Sequence, residues 1–559
     1  MVPLVLYWHT TGFGFLLDDF VLFQKSASLD DLGSIPRGFA SDVGAVRKGS
    51  EVVLGSYYRP VFLALSTLYH TVAGGEPFAW HLAAVALAAA VGALACALFL
   101  RLSFPPLLAL AGSLAFSLHP AHVSSVAWAS GLQELLAALF VLAAVLALLT
   151  RPGGADGVPL ALASVAYVLA LLSKEVAIGL LPLAVAWAWV RRDREPDEAR
   201  RFSGAAVSFG VLTAAYLLVR VLVFGALAKP WPRSPGLAAS LPSVPFAVAS
   251  YLRLLLWPVE FSIFRPERPV WRLGDTPVVL SLLVLAALAG LAWVAARRHR
   301  ELLLPLAWLV VWLLPVLNFW ALDPQWMVTD RYLFLPALAL PWALLIVVPR
   351  RLIAGVFGCL VVAYAALTLR YAAIFRDERT FVAAMELAEP TSAFLQAEKG
   401  RLLLRDGKRV AAEAALRRAV ALDPREPRTL RSLGDLELGR RDFAAAEAHY
   451  RRALESEPFA SKPFKQLALA LASSGRRAEA AALVEESARR WPADFEVQLL
   501  HALFLADRGE RRSAEAAFER ARGLRPGDPS LDGGLDGAVS RLAPMLLGPG
   551  RQLTAGPQG

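Results

Sequence analysis

Cysteine is almost absent from this chain. Its 559 residues include two, Cys96 and Cys359, each inside an apolar run, so neither a disulfide framework nor a thiol metal site is expected. Met1–Leu17 lacks the basic opening and small-residue cleavage site of a secretory signal. Charge is scarce as well, at 19% of residues against 57% hydrophobic ones, with a mean hydropathy of +0.50. That balance excludes a soluble enzyme and calls for a polytopic membrane protein. The formal charge of +10 would point to nucleic acid in a soluble chain. Here much of it sits in short connections between apolar segments, where Lys and Arg orient spans, and no nucleic-acid partner is expected.

What the chain has is a period. Pro390, Pro424, Pro458, Pro492 and Pro526 follow one another at intervals of 34 residues, the length of a tetratricopeptide (TPR) unit, in which two helices stack on their neighbours to bury a core. Small residues recur in phase, Gly400, Gly434, Ala468 and Ala502 on the first helix and Ala419, Ala453, Ser487 and Ala521 on the second. Antiparallel helices approach closely only over such residues. Each proline stands where the second helix must stop. Four units are predicted, 391–424, 425–458, 459–492 and 493–526.

Ahead of the repeats, candidate membrane-spanning segments are read at roughly 79–100, 104–119, 132–149, 158–173, 176–190, 203–224, 277–296, 302–320, 332–348 and 352–375. Met1–Leu17 reads as the outer part of a first span with its beginning missing, which makes eleven. Arg101, Arg151, the run Arg191–Arg201, Arg297–Arg300 and Arg350–Arg351 fall in alternate connections, which should therefore face the cytoplasm. Val244–Trp257, bounded by Pro242 and Pro258, is short for a span and is read as re-entrant or surface-lying. Eleven crossings put the C-terminus outside. The Ala/Leu/Arg/Gly-rich usage points to a bacterial inner membrane, with the repeats in the periplasm. The expected organisation is all-α: a membrane domain at 1–378, a TPR superhelix at 379–530 and a flexible tail at 531–559.

That direction gathers the unusual polar residues on one side. Asp18-Asp19 end the first segment, Tyr57-Tyr58-Arg59-Pro60 sits in the first long loop, and His81 opens the next span. His119-Pro120-Ala121-His122, Ser173-Lys174-Glu175 and Asp330-Arg331-Tyr332 complete the set. Ionisable residues beside or within spans are costly and mark functional cavities. Read singly, each has a plainer explanation. Asp18-Asp19 fit a solvated helix end, His119 and His122 interfacial packing, Lys174-Glu175 an internal ion pair, and Arg331 a rim anchor.

Taken in order, the set resembles the TMTC family of transmembrane TPR proteins and, more broadly, the GT-C glycosyltransferases such as the protein O-mannosyltransferases. The resemblance rests on Leu17-Asp18-Asp19, on Tyr58-Arg59-Pro60-Val61 with Ser66 and His81, and on His119-Pro120-Ala121-His122 with Val126-Ala127-Trp128. It continues through Gly131, Glu134-Leu135-Leu136, Leu172-Ser173-Lys174-Glu175, Asp330-Arg331-Tyr332-Leu333-Phe334-Leu335-Pro336 and the trailing repeats. It implies a GT-C-like fold and transfer of a sugar, mannose in some relatives, from a polyprenyl- or dolichyl-phosphate carrier to an extracytoplasmic acceptor such as a protein hydroxyl. Asp18 is then the candidate base. Asp19 would orient the acceptor or, as in some members of the fold, hold a divalent cation. Arg331 first, then Arg59 and Lys174, would stabilise the leaving phosphate. His81, His119, His122 and Glu175 would line the substrate site.

The chain departs from the family at three places. Ser124 and Leu132 stand where relatives carry Glu and Arg, and an Asn expected shortly after His81 is missing, with Ala83 and Ala84 nearby. These losses motivate an alternative expectation, a degenerate transferase kept as a membrane-anchored TPR scaffold for protein–protein contacts. A transporter is disfavoured, since the two halves show no inverted repeat.

Overall fold

In lipid a segment must satisfy its own backbone polar groups, and a helix does so without a partner strand. A computed structural model describes residues 2–24, 29, 32–40, 58–150, 157–224, 227, 240–260, 263, 272–317, 328–457, 460–492, 494–524 and 528–547, and among them every regular element is helical. Most residues up to Glu389 belong to one compact unit and those from Pro390 onward to another.

Among the described residues, five helices of the first unit have the length and apolarity to cross a membrane: Pro77–Arg101, Ala129–Leu149, Pro196–Val223, Thr276–Arg298 and Arg350–Phe375. Pro106–Ser117 and Pro120–Val126 form a further candidate, bent by 53° at the His-Pro step between them. The remaining apolar segments are helical but short or interrupted. Gly157–Ser173 stops at Lys174, and Leu180–Arg191 follows only after a 3₁₀ turn, Glu175–Gly179. Asp330–Leu333 and Pro336–Leu338 are 3₁₀ turns ahead of Ala339–Val347. The breaks fall where an ionisable residue or a proline interrupts the run, and these breaks carry the candidate site. Val2–Tyr7 likewise passes into a 3₁₀ turn, Trp8–Gly12. Pro60–Ala73, part of the expected first loop, is instead a helix, opened by a proline whose missing N–H costs nothing at that position. The segment read as re-entrant or surface-lying is the helix Ser243–Leu256.

The repeats follow the proline period. First helices run Ala393–Arg405, Pro427–Gly439, Ser461–Ser473 and Phe495–Asp507. Second helices run Arg409–Leu422, Phe443–Ser456, Arg477–Arg490 and Arg511–Leu524. Pro390, Pro424 and Pro492 stand between repeats, while Pro458 and Pro526 lie outside the described residues. Ser392, Glu426 and Asp494 cap first helices by accepting from the N–H groups of Leu395, Thr429 and Val497. The in-phase small residues are at the helix–helix contacts: a Cβ on Gly434 would lie 2.4 Å from the Tyr450 ring, and Ala419, Ala453 and Ala521 are wholly buried. The stretch expected to be a tail contains a helix, Gly534–Leu547, whose Leu535, Ala538 and Val539 join the core of the later repeats. The last unit of a solenoid otherwise leaves an apolar face open, and this helix covers it.

Between the two helices of three repeats the chain turns through a left-handed glycine, Gly407, Gly475 and Gly509, with φ of 74°, 90° and 77°. The equivalent residue of the second repeat is Arg441, at φ 63°. A side chain in this region costs on the order of 1–2 kcal/mol, and glycine returns roughly half of that through the freedom it gives the unfolded chain. Arg441→Gly is therefore expected to raise the stability of the repeat array by about 0.5–1 kcal/mol. Chemical denaturation of the full chain in detergent, followed by a probe in the repeats, measures the difference; a destabilised variant would contradict the strain.

Candidate functional site

The site is built around the start of helix Leu132–Leu149. Leading into it, the chain makes a short helix, Val123–Val126, and a 3₁₀ turn, Ala129–Gly131. This tight path depends on Gly131, where a Cβ would meet the carbonyl oxygen of Ser125 at 2.3 Å and its Cα at 2.6 Å. Residues 130–134 then offer polar groups to four distant segments. The Ser130 N–H donates to Asp19 Oδ1 at 2.7 Å, and the Ser130 hydroxyl accepts from Arg331 Nη2 at 3.2 Å. Gln133 Oε1 accepts from Arg59 Nη1. Glu134 Oε1 accepts from Lys174 Nζ at 2.5 Å. Predicted residues from opposite ends of the membrane unit are thus brought together by five consecutive positions.

Asp18 and Asp19 lie on a tight turn. The Asp19 N–H donates to the Leu16 carbonyl at 2.8 Å, and Leu17 takes φ 42°, a left-handed conformation leucine seldom adopts. Strain of that kind persists where surrounding contacts impose it. Here they are explicit. Asp19 is fully buried and its second oxygen accepts from the Leu16 N–H at 3.1 Å, while the Trp128 indole donates to the Leu16 carbonyl at 3.3 Å. Asp19 therefore fastens the turn. Asp18 is half-buried, and its carboxylate makes no hydrogen bond or ion pair among the described residues. Of the two acids, Asp18 is the one available to a substrate.

The cations differ in the same way. Arg59 grips Glu175 through two hydrogen bonds, Nε to Oε2 at 2.9 Å and Nη2 to Oε1 at 2.5 Å, besides its bond to Gln133. That is a complete bidentate pair. Arg331 stacks its guanidinium 4.5 Å from the centre of the Trp128 ring, and its Nε lies 3.7 Å from Glu134 Oε1, too far for a hydrogen bond. Lys174 sits 5.3 Å from the centre of the Tyr332 ring. Arg331 and Lys174, with donor capacity left over, are better placed than Arg59 to receive an anion.

The three histidines expected to line the site act on the scaffold instead. His119 Nε2 is 3.0 Å from the Leu255 carbonyl and its Nδ1 accepts from the Ala121 N–H, which fixes the bend. His122 Nε2 reaches the Phe334 carbonyl at 3.2 Å, with its ring packed against those of Phe116 and Phe334. His81 contacts the Gly14 carbonyl at 3.4 Å and stands edge-on to Phe13. It steadies the segment that leads to Asp18. Both Asp19 oxygens accept backbone N–H groups, and among the described residues no three His, Cys, Asp or Glu side chains are grouped to hold a metal ion. The divalent cation that the resemblance attaches to Asp19 does not fit this donor set.

Sequence reasoning passed over Ser130, Gln133 and Glu134 as site residues. Glu134 and Gln133 were visible as polar residues at the head of an otherwise apolar segment; nothing marked Ser130, because its contacts run through its backbone and a plain hydroxyl. Ser124 and Leu132 are buried here.

The architecture is that of a multi-pass membrane protein with a TPR array. A tetratricopeptide repeat family model matches residues 398–461 and 465–529. The chain is similar to the human protein O-mannosyl-transferase TMTC3, 29% identical over 179 residues, which are 31% of this chain and 19% of that protein. The chain matches less than a fifth of the length of that relative. Among solved structures, the crystal structure of the APC/C hetero-tetramer Cut9–Hcn1 aligns over 86% of this chain and 92% of its own, at 15% identity and a TM-score of 0.27. The repeats and the similarity to TMTC3 bear out the resemblance to the TMTC family.

Proposed function

We propose that this protein is an integral-membrane glycosyltransferase of GT-C type that moves a sugar such as mannose from a polyprenyl- or dolichyl-phosphate carrier to an extracytoplasmic hydroxyl, with the TPR array holding the polypeptide acceptor or a partner. The observation that carries this reading is the uncommitted Asp18 carboxylate on a turn locked to the same five residues that hold Arg331 and Lys174. Asp18 takes the proton of the acceptor hydroxyl as its oxygen attacks the anomeric carbon. The bond from that carbon to the phosphate oxygen breaks, and the carrier leaves as the phosphate, its growing negative charge met by Arg331 and Lys174. The similarity to TMTC3 supports the transferase class. The alternation of basic connections supports an inner-membrane protein with periplasmic repeats, a sidedness that a C-terminal reporter active only outside the cytoplasm would check.

The test uses the full chain reconstituted in lipid with radiolabelled mannosyl-phosphoryl-polyprenol and a periplasmic protein extract. Label is expected to leave the lipid and appear on protein in a linkage that alkali eliminates. No transfer with any polyprenyl-phosphate sugar would sink the proposal. The buried, uncharged Ser124 and Leu132 favour a second reading, a scaffold in which the membrane unit anchors the repeats; a phenotype rescued by residues 380–559 on an unrelated anchor would support it.

A further inference from the structure

The two ion pairs of the site are built to different standards. Arg59–Glu175 is closed on both sides, with two hydrogen bonds between the partners and a third donated by Arg59 to Gln133 Oε1. Among the described residues Glu134 has a single hydrogen bond, to Lys174. Arg331 stays at 3.7 Å, and the second carboxylate oxygen, Oε2, is buried with no partner among the described residues. Such an oxygen carries the full cost of leaving water with nothing returned. Arg331 in turn makes one hydrogen bond among the described residues, to the Ser130 hydroxyl, although a guanidinium has five N–H groups. A buried carboxylate and a half-buried guanidinium side by side, neither saturated, do not make a finished structural pair.

We propose that Glu134 is a resident counter-anion, which neutralises Lys174 and Arg331 while the site is empty and gives them up when a phosphate group arrives. A phosphate offers several acceptor oxygens, enough to engage Lys174 and the unused edge of Arg331 together, which one oxygen of Glu134 does not. Trp128, under the guanidinium at 4.5 Å, keeps its plane fixed during the exchange. Glu134 is then a positioning residue that competes with the anion. It keeps two cations from standing bare in an apolar unit, at the expense of affinity. The inference rests on the phosphate-carrier reading for its biological ligand, but binding alone tests it, without sugar transfer.

The experiment measures binding of undecaprenyl phosphate and, separately, of inorganic phosphate to the full chain in lipid nanodiscs. Wild type is compared with Glu134→Gln and Glu134→Asp. Glu134→Gln is expected to melt at a lower temperature than wild type when empty, because Lys174 loses its counter-charge, yet to bind phosphate roughly ten-fold more tightly. Glu134→Asp keeps the charge and the fold, withdraws the carboxylate by one carbon, and should bind with an intermediate gain. A gain for both probes means that the phosphate group alone is recognised, and a gain for the lipid only assigns the site to a carrier headgroup; either supports the exchange. Unchanged or weaker binding in both variants, or no binding of either probe to any form, overturns it. Were wild-type transfer found without any gain in these variants, the counter-anion role would fall and the transferase reading would stand.

Discussion

Replacing Asp18 by Asn is expected to lower sugar transfer by at least about a hundredfold while leaving expression, membrane insertion and melting temperature unchanged. The size follows from the role: a positioned general base contributes typically ~10²–10⁴-fold, and an amide of the same shape cannot accept the proton. The insensitivity of the fold follows from the structure, since the Asp18 carboxylate supports no other group among the described residues. Asp19→Asn should behave differently. Asp19 is buried and holds two backbone N–H groups, so its loss weakens the turn itself and lowers stability along with rate. Transfer assays with lipid-linked sugar, run beside thermal melts of the same preparations, separate the two. Full activity in Asp18→Asn would remove this residue from the mechanism.

Gly131→Ala is the second large effect. The added methyl would meet backbone, not a side chain that could rotate away, with the Ser125 oxygen at 2.3 Å and its Cα at 2.6 Å. Overpacking of this kind costs about 1–3 kcal/mol, and relief means moving the turn that precedes helix Leu132–Leu149. Ser130 lies on that turn and holds Asp19 through its N–H and Arg331 through its hydroxyl. The variant should therefore lose transfer as well as stability, although position 131 would touch no substrate. Melting in detergent and single-turnover transfer give both numbers. Unaltered activity in a stably folded variant would show that the site does not depend on this approach.

The sequence made the repeats legible almost to the residue, because a period of 34 fixes helix, turn and boundary at once. The structure departs from it at Arg441, whose left-handed turn carries no sequence mark beyond the glycines of the sister repeats, and at Gly534–Leu547, where covering an open end outweighs a composition that reads as tail. In the membrane unit, apolar runs announced helices but not their interruptions. Pro336 breaks a segment that hydropathy draws as continuous, while Lys174 and Asp330 lie just outside such segments in turns that the hydropathy does not foretell, and these turns carry the site. The polar residues were recognisable as a set; their division of labour was not. Nothing local distinguishes Asp18 from Asp19, or Arg331 from Arg59. The difference lies in partners 74 to 201 residues distant, such as Gln133 for Arg59 and Ser130 for Arg331. The carbonyls of Leu255 and Phe334 that His119 and His122 reach are likewise distant in sequence.

The central claim is that one acid and one cation, 313 residues apart in sequence, belong to a single working centre assembled on residues 130–134. A mutant cycle on transfer rate addresses it most directly, with Asp18→Asn, Arg331→Gln and both together assayed on the same lipid-linked donor. Groups that act as a unit are strongly non-additive, so the double variant should be little slower than the worse single one. Two independent losses that multiply, or a silent Arg331→Gln, would contradict it.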